Sequence, residues 1–262
     1  MIDKGLDDQG FIAREGSLDR VQPAFSPLAE AARQGIADTF GPDRLHSGYL
    51  YGSIPRGTAR PGRSDLDLLL ALHRPPTEAD RADADALEAA LDAGHGMIDG
   101  VGILLFDTST LLSELERHDL GWFLACLCTP LLGPDLATEL PRYRPTSLLA
   151  RETNGDLALA LPRWRESSAD PRALNRAVAR RLVRTAFTLV MPRWAGWTSD
   201  LTRSAEIAGG YYPERAGQLR TAAEVALAPT GDREVLRMFT EDLGPWLAAE
   251  YAAVHGVKAA RP

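Results

Sequence analysis

Lysine is almost missing from this chain: of 29 basic residues only Lys4 and Lys258 are lysines, and the rest are arginines. So lopsided a choice reflects biased genome composition and is no sign of a nucleic-acid partner. Cysteine is as scarce. Cys126 and Cys128 stand two apart in the apolar run WFLACLCTPLL, a spacing from which neither a disulfide framework nor a zinc site can be built. They read as buried structural thiols in a reducing cytoplasm. No stretch reaches the roughly 18 uninterrupted apolar residues of a spanning helix. The start, MIDKGLDDQG, has neither the basic end nor the apolar run of a signal peptide. The expectation is a cytoplasmic protein without membrane contact. The five histidines, His46, His73, His95, His118 and His255, show no metal-ligand spacing and suit surface or capping roles.

What is present is the composition of a globular protein, 45% apolar and 25% charged. Because a single core stops growing near about 250 residues, a chain of 262 residues suggests two modest domains. Charge divides it in the same way. Residues 1–140 carry 11 basic and 23 acidic side chains, residues 141–262 carry 18 and 13, and the net charge is -7. An acidic front half argues against a general DNA or RNA binder, which needs a positive footprint.

The pattern predicts a helix over residues 23–40, stopped by Gly41-Pro42. A short aromatic strand follows in GYLYGS, then the loop IPRGTARPGRS and a buried strand in LDLLLAL. Thr77 with Asp80 three residues on signals the N-cap of an acidic helix, EADRADADALEAALD, before a third strand in MIDGVGILLF. From residue 142 no strand is evident. Leu174, Val178, Leu182, Ala186 and Leu189 form a helical stripe within residues 173–191, and further helices are expected over 200–209, 213–227 and 231–254. The reading is a mixed sheet with helices packed on it, joined near the PRYRP segment to a small helical bundle.

The stretch YGSIPRGTARPGRSDLDLLL carries the chemistry. Asp65 and Asp67 are two apart at the mouth of a strand, so alternation puts both carboxylates on one face, where like charges repel unless a divalent cation bridges them. Upstream, Gly52-Ser53 ends a strand in a tight turn that offers backbone N–H groups and a hydroxyl to phosphate oxygens. Together these parts imply a metal-assisted reaction on a nucleoside triphosphate. Arg176, Arg180, Arg181 and Arg184 cluster on one helix, either as a solvated face or as a site for polyphosphate, to which the arginine fork is suited. The tryptophans Trp122, Trp164, Trp194 and Trp197 are mostly core candidates, with Trp194 and Trp197 also placed to floor a substrate pocket.

In this order, Gly52-Ser53, a short loop and Asp65-x-Asp67 resemble the nucleotidyltransferase domain of the DNA polymerase beta superfamily. Its third carboxylate, on a later strand, is matched by Asp99. Within that superfamily the chain resembles the streptomycin and spectinomycin adenylyltransferases, as well as uncharacterised nucleotidyltransferases of the same two-domain build. PLLGPDLATEL resembles their link, while RRLVRTAFTLV, AGWTSDLTRSAEIA and YYPE resemble bundle helices and a polar loop facing ATP. The family loop commonly carries lysine where this chain reads Thr198-Ser199-Asp200-Leu201.

The resemblance implies an α+β fold, with a nucleotidyltransferase domain over 1–140 and a helical bundle over 141–262. It implies transfer of a nucleoside monophosphate, AMP from ATP, onto a hydroxyl of a small acceptor such as an aminoglycoside-like antibiotic, with release of pyrophosphate. Asp65 and Asp67 would hold two magnesium ions, with Asp99 on the second. Gly52, Ser53, Ser64 and Arg184 would meet the phosphates. The general base is then Asp99 or one of Asp200, Glu206 and Glu214. Two rivals share these residues: an antitoxin-type adenylyltransferase that modifies a partner protein, and a non-catalytic nucleotide-binding regulator. A helical second half of this size weighs against the first, and the intact Asp65 and Asp67 weigh against the second.

Overall fold

A computed structural model describes residues 3–261. The chain divides into two compact units: Ala13–Tyr143, and the remainder from Arg144 onward together with the N-terminal segment up to Ile12. The fold is α+β, a four-stranded mixed sheet with helices followed by a helical bundle. Among the described residues no helix is long and apolar enough to cross a membrane.

In the first of these units, α1 (Ser26–Arg44) carries a break at Gly41, whose φ of 62° and ψ of 170° end the main helix where Gly-Pro is expected to stop it. Next come β1 (Leu45–Tyr51), β2 (Leu66–Leu72), α2 (Glu78–Gly94) and β3 (Val101–Asp107). α2 opens with the Thr77–Asp80 capping box. Then α3 (Thr108–Leu111) and α4 (Leu120–Leu127) lead into β4 (Thr129–Leu132). The strand order is β3-β2-β1-β4, with β1 antiparallel to β2 and β4, and β2 parallel to β3.

Apart from Asp67, β2 is apolar because both faces are covered. Leu66, Leu68 and Leu70 meet Leu28, Ala32 and Ile36 of α1 and Ala84, Leu87 and Leu91 of α2. On the other face Leu69 and Ala71 pack with Tyr49, Leu111, Leu124, Cys128 and Leu136. The phenol of Tyr49, fully buried, accepts the Leu136 N–H at 2.8 Å and donates to the Pro134 carbonyl at 3.3 Å, so its polar tip is satisfied. Both cysteines are buried. Burial pushes the Cys126 thiol up to about 12 and holds Cys128 far above its ordinary range, which makes them inert packing residues.

The helical unit contains α5 (Ser147–Asn154), α6 (Leu157–Arg165), α7 (Pro171–Trp194), α8 (Leu201–Tyr211), α9 (Ala216–Leu227), α10 (Arg233–Arg237) and α11 (Gly244–His255). α7 is its centre, touching α5, α6, α8, α9, α10 and α11. The expected stripe Leu174, Val178, Leu182, Ala186 and Leu189 is buried, and from Thr185 to Met191 the helix is buried all round. One buried polar network ties the helices together: Asn154 donates to Thr188 at 3.0 Å, and the Tyr251 hydroxyl reaches Thr188 and the Ala150 carbonyl. The helix expected over 231–254 is present as a continuous helical run made of α10, a π-helical stretch Met238–Leu243, and α11. Pro245 supplies no N–H for the regular i→i−4 bond, and the widened turn ahead of it absorbs that gap.

Candidate functional site

β1 ends at Tyr51, and Gly52, with φ of 80°, swings the chain out of the sheet in a conformation that L side chains rarely adopt. The turn that follows is closed by its own bonds. The Ser53 carbonyl accepts the Thr58 N–H at 3.0 Å, the Ile54 carbonyl accepts that of Gly57 at 3.1 Å, and Arg56 Nε donates to the Gly52 carbonyl at 2.8 Å. Arg56 is held in turn by Glu15 at 3.7 Å. The returning loop is pinned where Gly62 donates to the Met97 carbonyl at 2.7 Å and where the Ser64 hydroxyl accepts the Arg60 N–H at 2.9 Å. Ser64 therefore shapes the loop with its lone pairs and keeps its proton to donate.

Asp67 lies directly across from Tyr51 in the antiparallel pair. Its carboxylate covers Gly52 so closely that a Cβ there would stand 2.3 Å from Asp67 Oδ2. Left-handed backbone and close approach thus both require glycine at position 52, and they join the Gly-Ser turn to the Asp-x-Asp pair. Asp65 precedes β2 by one residue, and both aspartates are half-buried. The charge of Asp67 is felt at Cys128, secondary to burial, which agrees with its place on the Tyr49–Leu69 face of the sheet.

Asp99 is not on β3, which starts at Val101; it occupies the bend before it and is exposed. Regular parallel pairing would have one residue receive and give both bonds to β2. Here the Asp99 N–H donates to the Ser64 carbonyl at 3.0 Å, whereas the Leu66 N–H bonds to the Gly100 carbonyl at 2.9 Å. The β3 side therefore holds one extra residue, a bulge in which Asp99 and Gly100 together oppose Asp65. Ile98, one residue earlier, is buried in the α1–α2 core, whereas Asp99 is exposed. Gly102 pairs with Asp67 in register, and a Cβ on Gly100 or Gly102 would meet nothing within 4 Å.

Among the described residues no three His, Cys, Asp or Glu side chains gather into a group able to hold a metal ion. Asp65 and Asp67 still suit magnesium, which is commonly bound by one or two carboxylates plus substrate phosphates and waters. Half-buried and offering only oxygen, the pair fits that role.

In the helical unit Arg184 is exposed on α7, on the face that also carries Arg176 and Arg180. Arg181 has an ordinary explanation, an ion pair with Asp156 that Lys258 joins at 4.0 Å. Asp200 is occupied as the N-cap of α8, accepting the Arg203 N–H at 2.7 Å, while Glu206 and Glu214 are exposed. Trp197 is buried, and the rings of Trp194 and Trp197 meet Phe187 edge-on at 5.7 and 5.5 Å, which is a packing role. Sequence reasoning missed Arg56 and Glu15, whose pairing across distant segments leaves no local signal. It noted Gly100 without reading it as the bulge that positions Asp99.

No protein-family model matches the chain, and no curated protein matches its sequence. Among solved structures it is similar to spectinomycin adenyltransferase AAD(9) from Enterococcus faecialis, solved with ATP and spectinomycin. The TM-score is 0.59 at 13% identity, covering 86% of this chain and 98% of that one. At that identity the likeness is one of fold.

Proposed function

We propose that the chain is a nucleotidyltransferase that moves AMP from ATP onto a hydroxyl of a small molecule, releasing pyrophosphate. The observation that carries the reading is the seating of the Asp67 carboxylate on Gly52, which makes the Gly52-Ser53 turn and the Asp65-x-Asp67 pair one structural unit. A glycine turn that carries a hydroxyl donor beside two carboxylates suits a metal-bound triphosphate. The similar fold solved with ATP and a small antibiotic supports the same class of substrates.

Magnesium, held by Asp65 and Asp67, would neutralise phosphate charge and acidify the acceptor hydroxyl. The Ser53 hydroxyl, the N–H groups of the turn and the Ser64 proton are donors for phosphate oxygens. Asp99, exposed and opposite Asp65, accepts the proton of the acceptor hydroxyl. Arg184 contributes a permanently charged fork for the departing pyrophosphate. An aminoglycoside-like antibiotic is one acceptor within this class.

The test is pyrophosphate release from ATP across a panel of aminoglycosides, nucleosides and metabolite alcohols, with mass spectrometry of the product. An AMP adduct on one of them is the expected outcome. ATP left intact by the whole panel, or turned over equally by an Arg184→Ala variant, counts against the reading or against that residue, respectively.

A further inference from the structure

A turn binds an anion through its N–H donors, and its carbonyls must then be occupied elsewhere. In the turn over residues 52–58 they are. The Ser53 and Ile54 carbonyls accept the Thr58 and Gly57 N–H groups within the turn. Three more carbonyls are held by other donors: the Ser17 N–H bonds that of Pro55 at 3.0 Å, the Gln22 amide that of Gly57 at 3.1 Å, and Arg56 Nε that of Gly52 at 2.8 Å. Donors are left over. Among the described residues the N–H groups of Ser53 and Ile54 give no hydrogen bond to the protein, although Ile54 is only 1% exposed. A buried N–H that the chain leaves unanswered is costly, which favours an acceptor from outside, such as a phosphate oxygen.

The segment over residues 14–25 that braces this turn is itself fixed at both ends. At one end Arg14 forks onto Asp135 at 2.8 and 3.2 Å and donates to the Ala125 carbonyl at 3.1 Å, and at the other Phe25 is fully buried in the α1–α2 core. Between them Glu15 pairs with Arg56 at 3.7 Å, and the Arg20 guanidinium donates to the Glu15 carbonyl at 2.8 Å. The approach is close. A Cβ on Gly57, whose φ is 73°, would stand 2.7 Å from the Arg20 carbonyl oxygen. Of these ties the one from Arg56 falls on Gly52, the residue on which the Asp67 carboxylate is seated.

We propose that Arg56 is a positioning residue: braced by Glu15, it holds the Gly52 carbonyl back, so that the turn meets the triphosphate with the Ser53 and Ile54 N–H groups and the Ser53 hydroxyl. This rests on the reading of the turn as the place where phosphate binds. The arginine fork suits the task because one planar group serves a carbonyl and a carboxylate in a fixed geometry, which a mobile ammonium does not impose.

The test compares wild type with Arg56→Met, Arg56→Lys and Glu15→Gln. Hydrogen exchange at the Thr58 amide, which bonds the Ser53 carbonyl, reads the turn, and calorimetric titration with ATP and magnesium reads the site. Loss of a charged hydrogen bond should speed Thr58 exchange in Arg56→Met by about tenfold. If the turn is then competent about a tenth of the time, ATP affinity falls about tenfold. Arg56→Lys should lose about fivefold, because the charge without the fork does not hold the carbonyl. Glu15→Gln decides by its sign. Removing a negative charge near a bound triphosphate would by Coulomb attraction alone tighten ATP, whereas loss of the brace should weaken it about threefold. Unchanged Thr58 exchange in Arg56→Met overturns the hold on the turn. Unchanged ATP affinity in Arg56→Met reduces that hold to packing, wild-type affinity in Arg56→Lys reduces it to charge, and unchanged or tighter binding in Glu15→Gln makes Arg56 a direct phosphate contact; each overturns the positioning role. Should Arg56→Met fail to fold, Glu15→Gln decides alone. Failure of the wild type to bind ATP overturns the nucleotide reading, and the role assigned to Arg56 falls with it.

Discussion

Gly52→Ala isolates the contact on which the proposed site depends. Two costs arise at once. Alanine at φ of 80° carries a left-handed penalty of about 1–2 kcal/mol. Its Cβ also falls 2.3 Å from Asp67 Oδ2, where ordinary contact begins at 3.4 Å, so the carboxylate must retreat by about 1 Å or β1 and β2 must part. A displacement of about that size costs a reacting centre about 10²-fold in rate. Gly62→Ala is the control, because Gly62 has φ of 70° but an added Cβ there meets nothing within 4 Å. Both variants should lower the urea midpoint at unchanged slope, while only Gly52→Ala should lose pyrophosphate release. If Gly52→Ala kept full turnover, or if Gly62→Ala lost as much, the seating of Asp67 on Gly52 would have no part in the chemistry.

Asp99→Asn should slow single-turnover transfer by about 10² to 10⁴ with little change in ATP affinity, the loss expected of a general base; a near-normal rate there, with collapse in Glu206→Gln, would move the base to the helical unit. His255, whose ring bonds Ser147 and the Leu189 carbonyl, is lowered below its ordinary value of 6.5 by burial, with the Leu189 bond opposing and Arg193 adding to the shift. Below about pH 6.5 the unfolded chain therefore takes up a proton that the native state refuses, so this stability is complete above 6.5 and declines as pH falls toward the lower native value. The fall in Tm from pH 7.5 to 5.5 should be smaller in His255→Gln than in wild type, and equal falls would exclude the effect.

β2 was legible because a strand covered on both faces reads as a nearly continuous apolar run, and LDLLLAL, broken only by Asp67, coincides with Leu66–Leu72. The start of α2 was legible from Thr77 and Asp80, since capping is a local signal. β4 was hidden within WFLACLCTPLL, where a helix runs into a strand at Cys128 and periodicity cannot separate two buried apolar segments. α5 and α6 are short, and Pro162 in α6 masks its pattern. Of the candidate site, Gly52, Asp65 and Asp67 could be joined from spacing alone, because a turn between paired strands is a short-range event. The place of Asp99 depends on a change in hydrogen-bond register at Gly100 between segments distant in sequence. The hold of Ser17 and Gln22 on the turn likewise joins distant segments and left no sequence signal.

The central claim, that Asp65 and Asp67 serve metal-dependent nucleotidyl transfer, is tested most directly by pyrophosphate release from ATP with the acceptor panel. The comparison is wild type against Asp67→Asn, each with magnesium and with excess chelator. The account predicts release by wild type with magnesium only and none by Asp67→Asn, whose melting temperature should equal or exceed that of wild type once repulsion from Asp65 is relieved. Wild-type turnover in chelator, or undiminished turnover by Asp67→Asn, would contradict it.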